Sequence, residues 1–493
     1  MVPGYYYRLD ANGNIETASC CNDTASEHRM FGKLMVDNVV QNAIQYKVDG
    51  FRFDDMSLHF VSNMQAIKQA LSSLTLEHDG VDGSKIYIYG EGFLNSETAA
   101  LGVNATQANL YGYGIGTFND RIRDGIRGGN SFDNTIEQVQ GFATGLFTDP
   151  SYYTSTTIGE SLASQQATLN SEADWIRLGL AGNLRDFKFI DSTGATVTGS
   201  QIIYGGQPAG YAASPLEAVN YCSVHDNQPL FDAIQLKSAI PGKTSTNGDS
   251  IAMRTRRQVL AMSIIALGQG VPFFFGGDDL LRSKDMDDNS YNSGDWFNKV
   301  NWTLAEEEHN PSLLSQESNN WGIGLPLQNV NSGQWPIMQP LLANPSLTPT
   351  PENISAAADA FQMFLRIRRS SPLFHMATLA EVQNNLHFLN TGVAQIPGLI
   401  VMKLDDNGHD SRGYRHIVVV FNATLNPISF QNDQLRGLGL SLHPEEARSS
   451  DAATASSSVN NQTGTVLVKG LTTAVFVSGP DPHSWQSGDG TDH

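Results

Sequence analysis

Twice in its first 91 residues the chain passes from a helix-period stretch into a short apolar stretch that stops on an acidic residue. Thr24 and Glu27 have the spacing of a capping box, and Phe31, Leu34, Met35, Val39 and Ile44 then recur with helical period, which predicts a helix ending near Tyr46. Residues 48–53 follow as a buried strand ending at Asp54. A second helix over 62–74 leads to a strand over 85–89 and to Glu91. Helix, strand, helix, strand admits an α/β barrel or a doubly wound sheet and little else.

The rhythm continues with a strand over 114–118, a helix from Asn119, and an insertion over 128–215 that carries a helix near 158–180. A strand over 219–224 ends in His225-Asp226, and a helix over 251–267, a strand over 271–275 and a helix over 354–368 complete this part. Beyond Pro372 short apolar alternations over 386–389, 398–404, 416–422, 465–468 and 473–477 replace it. The expected organisation is therefore an α/β domain over 1–371, an all-β sandwich over 372–480 and a flexible tail over 481–493.

Charge narrows the partners. With 50 acidic against 30 basic side chains the formal balance is −20, which argues against nucleic acid and anionic membrane surfaces. The longest uncharged stretch, 259–277, is interrupted by Gly268, Gly270 and Pro272 and reads as a buried helix followed by a buried strand, so no membrane span is expected. Three cysteines, Cys20, Cys21 and Cys222, make neither a disulfide framework nor a zinc spacing and fit a reducing compartment.

Asp54, Glu91 and Asp226 share one relative place, the C-terminal end of an expected parallel strand, where barrel enzymes gather their reacting groups. Acidic residues also end strands by chance, and only the surroundings separate the two readings. Arg52 and Asp54 lie two apart, hence on one face, where a guanidinium holds a carboxylate ionised as a nucleophile requires. Glu91 follows Ile86-Tyr87-Ile88-Tyr89, apolar company that raises a carboxyl pKa and suits a general acid. Asp226 is a third carboxylate beside an imidazole. One nucleophile, one acid and a further carboxylate compose a retaining glycosidase site.

At these residues the chain resembles the pullulanase and limit dextrinase group of the α-amylase superfamily. The resemblance runs through Asn22-Asp23-Thr24-Ala25-Ser26-Glu27-His28, Val48-Asp49-Gly50-Phe51-Arg52-Phe53-Asp54, Gly114-Ile115-Gly116-Thr117-Phe118-Asn119-Asp120-Arg121, Leu281-Arg282-Ser283-Lys284 and Ser293-Gly294-Asp295-Trp296-Phe297-Asn298. The segment 76–85 leans toward plant and algal members. The resemblance implies Asp54 as nucleophile, Glu91 as acid/base and Asp226 as the carboxylate that binds the distorted sugar, with Arg52 and His225 supporting nucleophile and substrate. Arg282, Asp295, Trp296 and Phe297 stand where substrate contacts are expected, although core packing of the two aromatics is an equal reading. It further implies hydrolysis of α-1,6 branch linkages in starch-like glucans and pullulan, no required cofactor, and a plastid location. Asp278, Asp279, Asp285, Asp287 and Asp288 offer oxygen ligands to calcium, but without the regular spacing of a calcium loop a solvated acidic loop is the preferred reading.

The chain also departs from the group. The expected fold is an incomplete (β/α)8 barrel, strands four to eight only, followed by the all-β domain, because the first acidic strand corresponds to the group's fourth. Five strands do not close such a barrel and would leave two open edges, so the chain reads as part of a longer enzyme. Asp55-Met56-Ser57-Leu58 replaces the usual Leu-Met-Gly-His, Phe93 a tryptophan, and Phe275-Gly276-Gly277 a His-Ala-Gly. Strand alternation directs Asp55 away from Asp54. A non-catalytic glucan-binding or regulatory protein and an α-1,4-acting amylase relative remain the alternatives.

Overall fold

A computed structural model describes residues 4–19, 21–94, 98–129, 139–154, 159–241, 248–302, 318–407 and 413–479. Cys20 and the tail over 481–493 lie outside the described residues. Five strands, β1 (Gly50–Phe53), β2 (Tyr87–Gly90), β3 (Gly116–Asn119), β4 (Ala218–Asn220) and β5 (Val271–Pro272), form one sheet in sequence order, and all four pairings are parallel. Because every strand runs the same way, all five C-terminal ends lie along one rim.

The two faces of this sheet differ. Phe51, Phe53 and Ile88 pack with Met64, Ile67 and Leu71 of the helix Val61–Ser72 and with Val39 and Ala43 of the helix Arg29–Tyr46. The opposite face is aromatic: Tyr87 stacks on Tyr89, with ring centroids 5.4 Å apart, and Phe118 meets Tyr221 and Phe273 edge to face at 5.1 and 5.2 Å. Phe118 and Tyr221 are buried, whereas Tyr87, Tyr89 and Phe273 are only half-buried.

The C-terminal region is antiparallel. One sheet orders Leu386–Phe388, Leu399–Asp405, His416–Asn422, Thr472–Ser478 and Ser441–Leu442; a second orders Ile428–Gln431, Thr465–Val468 and Ser458–Asn460. Leu399, Val401, Val418 and Val420 face the second sheet, while Ile400, Met402, Ile417 and Val419 join the core built by the helices Ile251–Leu267 and Leu162–Leu180. The strand Leu399–Asp405 is consequently buried along its whole length instead of alternating with solvent. The all-β part thus shares one continuous core with the α/β part. Arg177 bridges the two, donating to the Asn390 carbonyl at 2.8 Å and to Gln395 at 2.5 Å.

Several expectations need correction. The Thr24/Glu27 pair is no cap: the helix starts at Arg29 behind His28, which makes no side-chain cap bond, and Glu27 instead binds Arg8. Strands β4 and β5 are shorter than 219–224 and 271–275, since each pairs over only two or three residues before its loop departs. The stretch 259–277 does split into a helix and a strand, but Val271 and Pro272 are half-exposed. Among the described residues no helix is long and apolar enough to cross a membrane.

Candidate active site

Asp54 and Glu91 are the first residues after β1 and β2, and the parallel register Phe53–Gly90 sets them side by side. A Cβ at position 90 would overlap the Phe53 carbonyl, so glycine is what lets the ends of β1 and β2 approach. The approach is locked by two backbone bonds, from the Glu91 N–H to the Phe53 carbonyl at 3.2 Å and from the Ser57 N–H to the Glu91 carbonyl at 3.0 Å.

Arg52 joins the two acids. One guanidinium nitrogen binds Asp54 Oδ1, the other lies 3.1 Å from Glu91 Oε2, and the group sits 5.7 Å above the Phe118 ring. The carboxylates differ in surroundings: the Asp54 side chain is 66% exposed, that of Glu91 only 15%. Burial, reinforced by the negative charge of Asp54, pushes the Glu91 carboxyl up to about 7 against the opposing pull of Arg52 and of the Asp55 N–H. An open carboxylate beside a proton-holding one is the division of labour that acid-assisted displacement needs.

Asp226 sits on the same rim but not at a strand end. Strand β4 stops at Asn220, and His225-Asp226 ride on the loop beyond it. The imidazole of His225 lies 3.3 Å from Asp226, whose side chain is 55% exposed. The loop is held from beneath. Arg127 donates to the carbonyls of Cys222 and Gln228 at 3.2 and 3.4 Å, Lys284 donates to that of His225 at 2.7 Å, and Gln228 binds Asp288 at 3.0 Å. Burial, with the Arg282 charge adding to it, pulls the Lys284 ammonium down to about 8 against the attraction of Asp232, Asp287 and Asp226. Lys284 closes the Leu281-Arg282-Ser283-Lys284 string, but no sequence signal discloses that it carries this loop.

The remaining expected contacts divide. Arg282 is buried in its own loop, donating to the carbonyls of Gly276 and Asn298 and packing 4.5 Å from the Phe275 ring, so it shapes the rim and does not present a free guanidinium. Its bond to Asn298 fixes the short helix Asp295–Asn298. There Asp295 is exposed, Phe297 half-buried, and Trp296 71% exposed, which excludes core packing for Trp296. Tyr291, in the 3-10 turn Ser290–Asn292, and Trp302 are 80% and 60% exposed, two further aromatics that nothing in the sequence singles out.

The acidic cluster corrects the solvated-loop reading. Asp278, Asp285 and Asp287 are buried. Asp278 accepts the Ser223 hydroxyl, Asp285 the N–H groups of Gly322 and Gly324, both at 2.7 Å, and Asp287 the Asn331 amide at 3.0 Å. Each acid is spent on a different chain segment, and among the described residues no three potential ligands converge on a metal position. A cleft of about 810 Å³ between the helices Arg29–Tyr46 and Val61–Ser72 lies behind the sheet and includes none of the candidate carboxylates.

The parallel sheet thus carries paired carboxylates on its C-terminal rim and is fused to an antiparallel β part. Residues 316–479 match the family model for the C-terminal part of pullulanase-type α-1,6-glucosidases. The chain is 42% identical to chloroplastic pullulanase 1 of Arabidopsis thaliana over 97% of its own length and 48% of the relative's, and 38% identical to a pullulanase of Klebsiella aerogenes over 82% and 34%. A crystal structure of Klebsiella pneumoniae pullulanase complexed with maltotriose superposes with a TM-score of 0.84 at 35% identity, covering 97% of this chain and 43% of that one. The chain is thus similar to pullulanases along nearly its whole length and spans about half the length of the Arabidopsis relative.

Proposed function

We propose that this chain is the catalytic portion of a retaining hydrolase that cleaves α-1,6 branch linkages in starch-like glucans and pullulan. The observation that carries the reading is the single guanidinium of Arg52 reaching both an exposed Asp54 and a half-buried, proton-holding Glu91. Two acids bridged this closely fit the retaining separation of about 5–5.5 Å better than the wider inverting one. In the first step Glu91 gives its proton to the glycosidic oxygen while Asp54 attacks the anomeric carbon, forming a glycosyl ester and releasing the shortened glucan. In the second, Glu91 takes a proton from water, whose oxygen displaces Asp54 and frees the sugar.

Asp226 would bind the distorted sugar and His225 its hydroxyls, both held in place by Arg127 and Lys284. Trp296 would stack on a glucose ring. Trp296→Ala is expected to weaken maltotriose binding up to about tenfold, the worth of one aromatic contact, with unchanged far-ultraviolet circular dichroism; titration calorimetry checks it.

The five parallel strands are read as strands four to eight of an eight-stranded barrel. The half-buried aromatic face, with Tyr87, Tyr89 and Phe273 partly open, supports that reading because such a face is the interior of a closed barrel. The chloroplastic relative supports a plastid location. No calcium is required by this scheme. The test is a reducing-sugar assay on pullulan: release of maltotriose units that Asp54→Asn abolishes is expected. Binding without release would replace the hydrolase by a glucan-binding protein, and cleavage of linear amylose in its place would indicate an α-1,4 specificity.

A further inference from the structure

Asp55 follows Asp54 directly, yet its carboxylate leaves the pair. The backbone at Asp55 enters the left-handed region with φ 43°, a conformation that Asp and Asn adopt more readily than other residues with a side chain. The turn sends the two halves of the residue in different directions. Its N–H donates to Glu91 Oε2 at 2.9 Å, the same oxygen that Arg52 approaches at 3.1 Å. Its carboxylate points outward, where Oδ2 accepts the Ser19 hydroxyl at 2.6 Å. Ser19 belongs to an N-terminal segment that is itself pinned beside this turn, since Arg8 binds Glu27 and also donates to the Leu58 carbonyl at 3.3 Å.

We infer that Ser19 and Asp55 are positioning residues for Glu91: the Ser19 hydroxyl anchors the Asp55 carboxylate, and the anchored left-handed turn aims the Asp55 N–H at one oxygen of the acid. The groups that face Glu91 are Arg52 and Asp54 from the end of β1 and this N–H from the turn. Arg52 and the N–H favour the charged carboxylate, whereas burial and Asp54 favour the neutral acid. Withdrawing the N–H therefore raises the Glu91 midpoint and releases one restraint on its rotamer. The pair matters for turnover only if Glu91 is the proton donor proposed above, but its effect on Glu91 can be read without turnover.

The experiment is a carbon-13 titration of the full chain with labelled glutamate carboxyls, the Glu91 resonance being assigned by its loss in Glu91→Gln. Asp55→Leu, which lacks both the acceptor and the tolerance for the left-handed turn, is expected to raise the midpoint by about 1 pH unit, and Ser19→Ala by about half of that. Asp55→Asn retains an acceptor and the turn and is expected to leave the midpoint in place. Midpoints unmoved in both Asp55→Leu and Ser19→Ala, or moved equally by Asp55→Asn and Asp55→Leu, would overturn the inference. If Asp55→Leu fails to fold, Ser19→Ala decides alone, because Ser19 is an exposed loop residue. A midpoint that responds in a chain without hydrolase activity would defeat the proposed function and leave the positioning role standing.

Discussion

Glu91→Gln is expected to lower maltotriose release from pullulan by a factor of about 10³, within the range that loss of a positioned proton donor produces. The loss should shrink sharply on an activated aryl glycoside, whose leaving group departs without a proton. Asp54→Ala should abolish both reactions, because no leaving group compensates for a missing nucleophile. The pH profile follows from the same carboxyl. Glu91 is raised above its ordinary value to about 7, and its working form in the first step is protonated. The rate should therefore fall as pH rises through about 7, and Glu91→Gln should remove that limb. Equal losses on both substrates, or a limb that survives in Glu91→Gln, would assign the proton donor elsewhere.

Arg257→Met is expected to cost about 3–5 kcal/mol of stability, the largest effect foreseen outside the rim. The guanidinium is fully buried in the helix Ile251–Leu267, donating to Asp249 at 2.6 Å, to Asp149 at 2.8 Å and to the Ala143 carbonyl at 2.9 Å. Removing it takes the bridging cation from two buried carboxylates, and the desolvation already spent on them is less fully offset. Arg257→Lys should recover only part of the loss, since a point charge does not span two carboxylates and a carbonyl in the fork geometry of arginine. Adding Asp149→Asn and Asp249→Asn to Arg257→Met should restore most of it. Urea midpoints of these variants provide the check, and a single-variant loss under about 1 kcal/mol would show that the triad adds little.

Elements with a strong local signal were legible residue by residue. The apolar period and flanking Ser250 and Gly268 delimit the helix Ile251–Leu267, and the β-branched run of His416–Asn422 marks a strand wherever it lands. The strands Ile428–Gln431, Ser441–Leu442 and Ser458–Asn460 escaped because short, polar edge segments look like loops until a partner pairs with them. The capping-box spacing of Thr24 and Glu27 misled for the opposite reason: Arg8, nineteen residues from the glutamate in sequence, competes for it and wins.

The site shows the same division. The sequence by itself determined that Arg52 and Asp54 share a face, because a strand has a period of two, and that Glu91 follows an apolar strand, because those residues are adjacent in the chain. It equally determined the parallel α/β order, which is written in the alternation of periods. Only the tertiary structure decided that one guanidinium reaches both acids, that Asp226 rides a loop carried by Lys284 and Arg127, and that the acidic cluster is buried against Gly322, Gly324 and Asn331. Those partners lie tens of residues or more apart, and neither pattern nor propensity records a distance that exists only once the chain has packed.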